Sequence, residues 1–301
     1  MTSLLQRVKS DMAIFAHRKA RGMLDGEYGS VFRGRGRGLD FDDLRAYIPG
    51  DEVRDIDWKA SARHGSPLIR RYVAVRRQTV ILVTDTGRNM AAASRSGEAK
   101  KDIAVMALGV MGYLAHRHGD VVGLVAGDSG GTTALPAKGG EPHLERLLRQ
   151  VASAATLDAA PSRIEDQLEH VARTIKGRNL LFVVADEVAA SPDTGHLLRR
   201  LRAQHEILWL TVRDARLVPD DPFLRPDQEP DSYSVSGSYP LPALLARDPG
   251  IAAAYATAVA ERDAGRKAML RQAGITEGEV AGSQDVLAAL FALLERHRRA
   301  G

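Results

Sequence analysis

The chain contains no cysteine. That excludes disulfides, thiolate metal sites, iron–sulfur clusters and cysteine nucleophiles together, and it fits a reducing compartment, so the expected location is cytoplasmic. Aromatics make up only 5% of the residues, which leaves Ala, Val, Leu and Ile to build the core. Long apolar runs are missing as well. The longest, residues 103–115, is too short to span a bilayer and reads as a buried core helix. The N-terminus lacks the basic, apolar and small-residue order of a secretion signal, so no export is expected. Positive charge is the one component unevenly spread. Residues 1–78 carry 16 Lys/Arg against 10 Asp/Glu, a net of +6 within an overall +4. A basic end of this kind can attract an acidic partner, lipid headgroups or nucleic acid, and an Arg-rich composition alone can also produce it.

The 301 residues and 44% hydrophobic content suit one large α/β domain with additions. The first region, residues 1–77, opens with a predicted helix over residues 4–20. An Arg/Gly run at 33–38 and a dense polar segment follow. From residue 78 the pattern alternates between strand and helix. Apolar β-branched runs at 79–85 (TVILVTD), 120–126 (DVVGLVA), 179–186 (NLLFVVAD) and 206–212 (EILWLTV) read as buried strands. Helical spacing appears at 98–118, at Leu144, Leu147, Leu148 and Val151, at Ile164, Leu168, Val171 and Ile175, and at Leu197, Leu198 and Leu201. Ser162 and Glu165 stand in capping-box spacing. Residues 213–249 form a Pro/Asp-rich loop with at most a short strand near Tyr233, and helices over 251–272 and 283–298 close the chain. Repeated strand–helix–strand units force parallel pairing, so the expected fold is an open, doubly wound, mostly parallel sheet over residues 78–301.

Enzyme motifs find little support. Gly127-Asp128-Ser129-Gly130-Gly131 matches strings found around serine nucleophiles, but Thr132-Thr133-Ala134-Leu135-Pro136 does not start the helix that a nucleophile elbow requires. Gly-rich punctuation after a strand explains the same letters, and a cryptic hydrolase using Ser129 is the third-ranked reading. No phosphate-binding loop is present, and the histidines are scattered without a ligand set. The Arg/Gly run could meet RNA phosphates, yet it has only three Arg and no interleaved aromatics for base stacking.

The most distinctive stretch is residues 38–72, GLDFDDLRAYIPGDEVRDIDWKASARHGSPLIRRY. Asp51, Asp55 and Asp57 interleave with Arg45, Arg54, Lys59 and Arg63, while Phe41, Leu44, Tyr47, Ile56 and Trp58 supply apolar anchors. The mixture suits a compact polar hairpin whose charges satisfy one another, or a surface made to be recognised. Here the chain resembles the domain of unknown function fifty-eight family. Phe41, Leu44, Arg45, Tyr47, Pro49, Gly50, Asp51, Arg54, Ile56, Asp57, Trp58, Ser61, Ala62 and Arg63 match its ungapped hallmark. The resemblance implies a von Willebrand factor A-like domain from about residue 78. It also implies association with AAA+ ATPases of the MoxR class in chaperone-like or complex-assembly work. Many relatives carry transmembrane helices before the motif, and no such run precedes it here.

The same resemblance implies a Mg²⁺ site at the carboxyl ends of the strands. In this fold D-x-S-x-S, a Thr and an Asp hold the ion, and a partner's carboxylate completes the shell. Asp85 ends the first strand run and Asp186 ends NLLFVVAD, so both carboxylates stand where the fold would place them. Gly87 replaces the first serine, Asn89 replaces the second, and Thr133 is the nearest threonine. The expected site is therefore weak and degenerate: Asp85, Asn89, Thr133 and Asp186. The alternative is that the two carboxylates cap helices or bind loop amides. No other cofactor is expected. The leading functional expectation is a non-enzymatic adaptor that binds a MoxR-class ATPase or its client, with Arg45, Arg54, Trp58 and Arg63 as contact residues. Pinning of the N-terminal region by Trp58 and the Arg/Asp network is the alternative role for that segment. The second functional reading is a basic surface, residues 1–38, for anionic membrane or nucleic acid.

Overall fold

The computed structural model describes residues 3–18, 28, 39–48, 51–74, 77–215, 233–235, 239–240 and 249–300. The chain divides into two compact units, one of residues 1–31 with 79–301 and one of residues 32–78. The larger unit opens with α1 (Leu4–Arg18). The smaller contains β1 (Leu39–Ala46), a 3-10 turn (Val53–Asp55), α2 (Trp58–His64) and β2 (Leu68–Ala74). The larger unit then resumes with β3 (Thr79–Asp85), α3 (Arg88–Ala91), α4 (Lys100–Arg117), β4 (Val121–Asp128), β5 (Gly131–Lys138) and α5 (Glu141–Ala154). It continues through α6 (Ile164–Thr174), β6 (Leu180–Ala185), α7 (Pro192–Gln204) and β7 (Glu206–Val212). A short pair, β8 (Tyr233–Ser234) and β9 (Tyr239–Pro240), precedes α8 (Pro249–Gln272), β10 (Thr276–Val280) and α9 (Val286–Ala300).

Six strands of the larger unit form one sheet in the order β10-β7-β6-β3-β4-β5. All neighbours are parallel except β4 and β5. Successive residues of a strand point to opposite faces, so an uninterrupted apolar run needs cover on both. Ile81, Val83, Leu181, Val183, Ile207 and Trp209 pack with α6, α7 and the C-terminal part of α8. On the other face α4 lies across β3, β4, β6 and β7, flanked by α5 and α9. The strand order reverses between β3 and β6: the chain first winds outward through β4 and later outward through β7. That reversal opens a crevice beyond the carboxyl ends of β3 and β6. The doubly wound, mostly parallel α/β architecture read from the sequence is the one observed.

Several expectations need correction. The division at residue 77 is misplaced for the first helix, because α1 belongs to the larger unit. Its apolar stripe Leu5, Val8 and Met12 is buried, and the helix packs on α4 and α5. Gly109 makes the seat: a Cβ there would fall 2.6 Å from Val8 Cγ2. Two strands of the six-stranded sheet were not foreseen. Exposed β5 contains Pro136, which an edge strand tolerates. β10 reads TEGEV, whose carboxylates are balanced by arginines from elsewhere in the chain. Ser162 does not cap α6, whose N-cap position is Arg163 without a side-chain bond. The short strand near Tyr233 is present. The Arg/Gly run, Pro49, Gly50 and most of the Pro-rich loop lie outside the described residues.

Candidate functional site

The crevice is built from strand ends. Asp85 closes β3 and is 3% exposed, and its Oδ1 accepts a hydrogen bond from the Gly87 N–H at 2.5 Å. Burial raises its carboxyl to a pKa of about 7 against the opposing pull of that N–H. Asp186 follows β6. Its Oδ1 accepts from the Glu187 N–H at 2.7 Å, and its Oδ2 lies 2.9 Å from Lys100 Nζ. Lys100 is the first residue of α4 and only 1% exposed, and its ammonium also pairs with Asp214 just after β7. Burial opposes the charge on Lys100, but Asp186 and Asp214 overcome it and hold its pKa above the ordinary lysine value. Burial likewise raises Asp186 despite the attraction of Lys100.

The other expected ligands do not join these carboxylates. Thr133 is an exposed residue in the middle of β5, opposite Ala126. Asn89 sits within the single turn of α3, where its carbonyl accepts from the Ala92 N–H. Gly87 has no room for the serine it replaces, since a Cβ there would lie 2.5 Å from Ser162 Cα and 2.6 Å from Ser162 Oγ. Among the described residues no three His, Asp or Glu side chains converge as a metal-holding group. Mg²⁺ asks for near-octahedral oxygen coordination, and these residues do not fit it. One carboxylate is tied to a backbone N–H, the other is engaged by an ammonium group, and Gly87 and Asn89 stand at the two serine positions. Sequence reasoning found the two aspartates and missed Lys100 and Ser162. A lysine opening a helix reads as a solvated residue, and the serine reads as a cap.

Beyond β7 and β10 the charge network continues. Arg266 of α8 is completely buried, with Nε 2.8 Å from Glu277 Oε1, Nη1 2.7 Å from Asp263 Oδ1 and Nη2 2.7 Å from Glu279 Oε1. Arg213 lies 2.9 Å from Glu187 and 3.2 Å from Glu279, and it pairs with Asp263 at 2.5 Å. These two guanidinium groups are what permit a strand carrying Glu277 and Glu279 to complete the sheet. Ser129 lies in the two-residue turn between antiparallel β4 and β5, with Asp128 opposite Gly131. No helix follows it, so the geometry is that of a hairpin and not of a nucleophile elbow.

The smaller unit carries the hallmark residues, and most of them satisfy one another. β1 and β2 pair antiparallel with an irregularity between Phe41 and Asp43. Arg45 forms a two-pronged ion pair with Asp51, Nη1 to Oδ2 at 2.7 Å and Nη2 to Oδ1 at 2.6 Å. Asp51 also accepts from the Ile48 N–H at 2.9 Å, and these bonds hold its pKa below the ordinary aspartate value although burial opposes them. Asp57 caps α2, accepting from the N–H groups of Lys59 and Ala60. Ser61 Oγ donates to the Asp57 carbonyl at 2.7 Å and accepts from the Leu68 N–H at 2.8 Å, locking α2 to β2. Ile56 is buried and forms a bridge to Ile69. Trp58, by contrast, is 65% exposed, and Ile48 and Val53 are exposed beside it in sequence. Arg54, whose side chain is 80% exposed, pairs only with its near neighbour Glu52 among the described ion pairs, and Arg63 is exposed.

Comparison with known proteins places these features. Uncharacterized proteins of Mycobacterium bovis and Mycobacterium tuberculosis are 28% identical over 204 residues, 66% of this chain and 62% of each relative. The chain thus spans under two thirds of the length of these curated relatives. Among solved structures, an aerotolerance-related membrane protein from Bacteroides fragilis aligns over 73% of this chain and 99% of its own, at 12% identity and a TM-score of 0.46. A von Willebrand factor type A protein from Catenulispora acidiphila aligns over 77% and 44% respectively, at 8% identity and a TM-score of 0.40. No helix among the described residues is long and apolar enough to cross a membrane. The profile described as "Protein of unknown function DUF58" matches residues 43–221, which takes in the hallmark from Asp43 onward, the crevice and most of the sheet, and the chain belongs to that family.

Proposed function

We propose that this chain is a non-enzymatic, cytoplasmic adaptor that docks a protein partner, an AAA+ ATPase of the MoxR class, through the smaller unit. The observation that supports this reading is the exposure of Trp58 on a unit in which Arg45, Asp51, Asp57 and Ser61 are paired internally. Six large hydrophobic residues are exposed among those described, and three of them, Ile48, Val53 and Trp58, belong to this one small unit. A tryptophan left in water forgoes a large burial gain, and tryptophan and arginine dominate the energetics of protein interfaces. Arg54, Trp58 and Arg63 are the contact residues in this reading. Arg45 moves from contact to scaffold, because both prongs of its guanidinium are committed to Asp51.

The test uses the purified chain and the MoxR-class ATPase of the same cell, mixed with Mg²⁺ and ATP and followed by co-elution. Trp58→Ala and the pair Arg54→Ala and Arg63→Ala are expected to weaken binding at least about tenfold while the melting temperature holds. Arg45→Ala should loosen the unit itself and lower its melting temperature. Wild-type affinity in a folded Trp58→Ala chain would sink the proposal. The rival reading, anionic lipid or nucleic acid held by residues 1–38, would have to work through charge, because the apolar stripe of α1 is buried on α4 and α5.

A further inference from the structure

The strand-end crevice holds something that docking through the smaller unit does not use. The fold implied by the sequence resemblance places a divalent cation between the carboxylates that end β3 and β6. In this chain the second of those carboxylates, Asp186, meets a lysine. We infer that the ammonium group of Lys100 is the resident cation of the crevice, a fixed charge that engages one of the two carboxylates a metal ion would use, Asp186, and ties it to Asp214.

Three observations carry this. Lys100 is 1% exposed, and burying an ammonium is costly unless carboxylates surround it. Asp186 at 2.9 Å and Asp214 are those carboxylates. The residue also opens α4, where the helix dipole disfavours positive charge, so local helix energetics do not explain it. Finally, Ser162 fills the space in which a side chain at position 87 would offer a hydroxyl ligand. The ammonium joins the end of β6, the segment after β7 and the start of α4, and leaves Asp85 at the end of β3 to the Gly87 N–H. It differs from an ion in having no open coordination position, so a partner's carboxylate has nothing to complete. Chelators and metal supply should leave it untouched. The inference is independent of the docking proposal.

The probe is Mn²⁺, titrated into the full chain and followed by electron paramagnetic resonance, with melting in Mg²⁺ against EDTA as the second readout. The wild type is expected to show no saturable Mn²⁺ site and equal melting temperatures in Mg²⁺ and EDTA. Lys100→Met, with Lys100→Gln as the second variant, should gain one saturable site and melt higher in Mg²⁺. Adding Asp186→Asn should remove both gains. A wild-type Mn²⁺ site abolished by Asp186→Asn would overturn the inference, and so would folded Lys100 variants that bind no Mn²⁺. Should neither variant fold in EDTA, restoration of folding by Mg²⁺ supports the inference and failure to restore it overturns it.

Discussion

Asp85 illustrates what a single buried side chain does at the strand-end crevice. Its carboxyl is buried and ionises near 7, whereas an unfolded aspartate ionises near 3.8. Between those values the folded chain holds a proton that the unfolded chain releases. This group's contribution to stability is therefore greatest below about pH 4, declines as pH rises toward 7, and flattens above it. The span is worth up to about 4 kcal/mol, at 1.36 kcal/mol per pKa unit. Asp85→Asn keeps an oxygen for the Gly87 N–H and removes the titration. The variant is expected to flatten the fall in melting temperature between about pH 5 and pH 8 and to be the more stable protein at the upper end. A melting profile as steep as the wild type's would assign the pH dependence to another group.

At the level of elements, legibility tracked how locally each one is stabilised. The runs of β3, β6 and β7 announce themselves because both faces are buried and apolar, and α4 does so because it is apolar nearly all round. β10 was hidden because Glu277 and Glu279 are tolerable only beside Arg266 and Arg213, and periodicity carries no trace of that pairing. The site divides the same way. Asp85 and Asp186 were readable as strand-end carboxylates, while Lys100 gained its meaning only when the fold brought Asp214 to it. α1 offers an element-scale test. Its first turn is capped from another helix: Glu145 accepts from Ser3 Oγ at 2.8 Å and from the N–H groups of Leu4 at 3.2 Å and Leu5 at 2.8 Å. Burial works against this carboxylate, yet those donors and Arg149 bring its pKa down to about 2. Folded below unfolded means that its contribution is present above about pH 4.5 and is lost as pH falls toward 2. Glu145→Ala should cost about 1–2 kcal/mol in urea denaturation and speed hydrogen exchange along α1, with the sheet strands retaining their protection. Unchanged exchange in α1 would mean that the buried stripe alone holds the helix.

For the molecule as a whole, the two units differ in how far along the chain their partners lie. The larger unit gathers its sheet core from residues 79–301 and adds α1 from before the insert. Replacing residues 32–78 with a flexible linker is therefore expected to leave a protein with one cooperative unfolding transition and the far-ultraviolet signature of the sheet unit. A chain without a cooperative transition would show that the larger unit depends on the smaller. The same spacing has a consequence for synthesis. The hallmark hairpin closes over fewer than fifty residues and can form as soon as it leaves the ribosome. α1 emerges earlier but waits for α4 and then α5, with Ser3 and its partner Glu145 separated by 142 positions. During that interval Leu5, Val8 and Met12 travel uncovered on the nascent chain, so the hallmark hairpin can be complete before the first helix has found its seat.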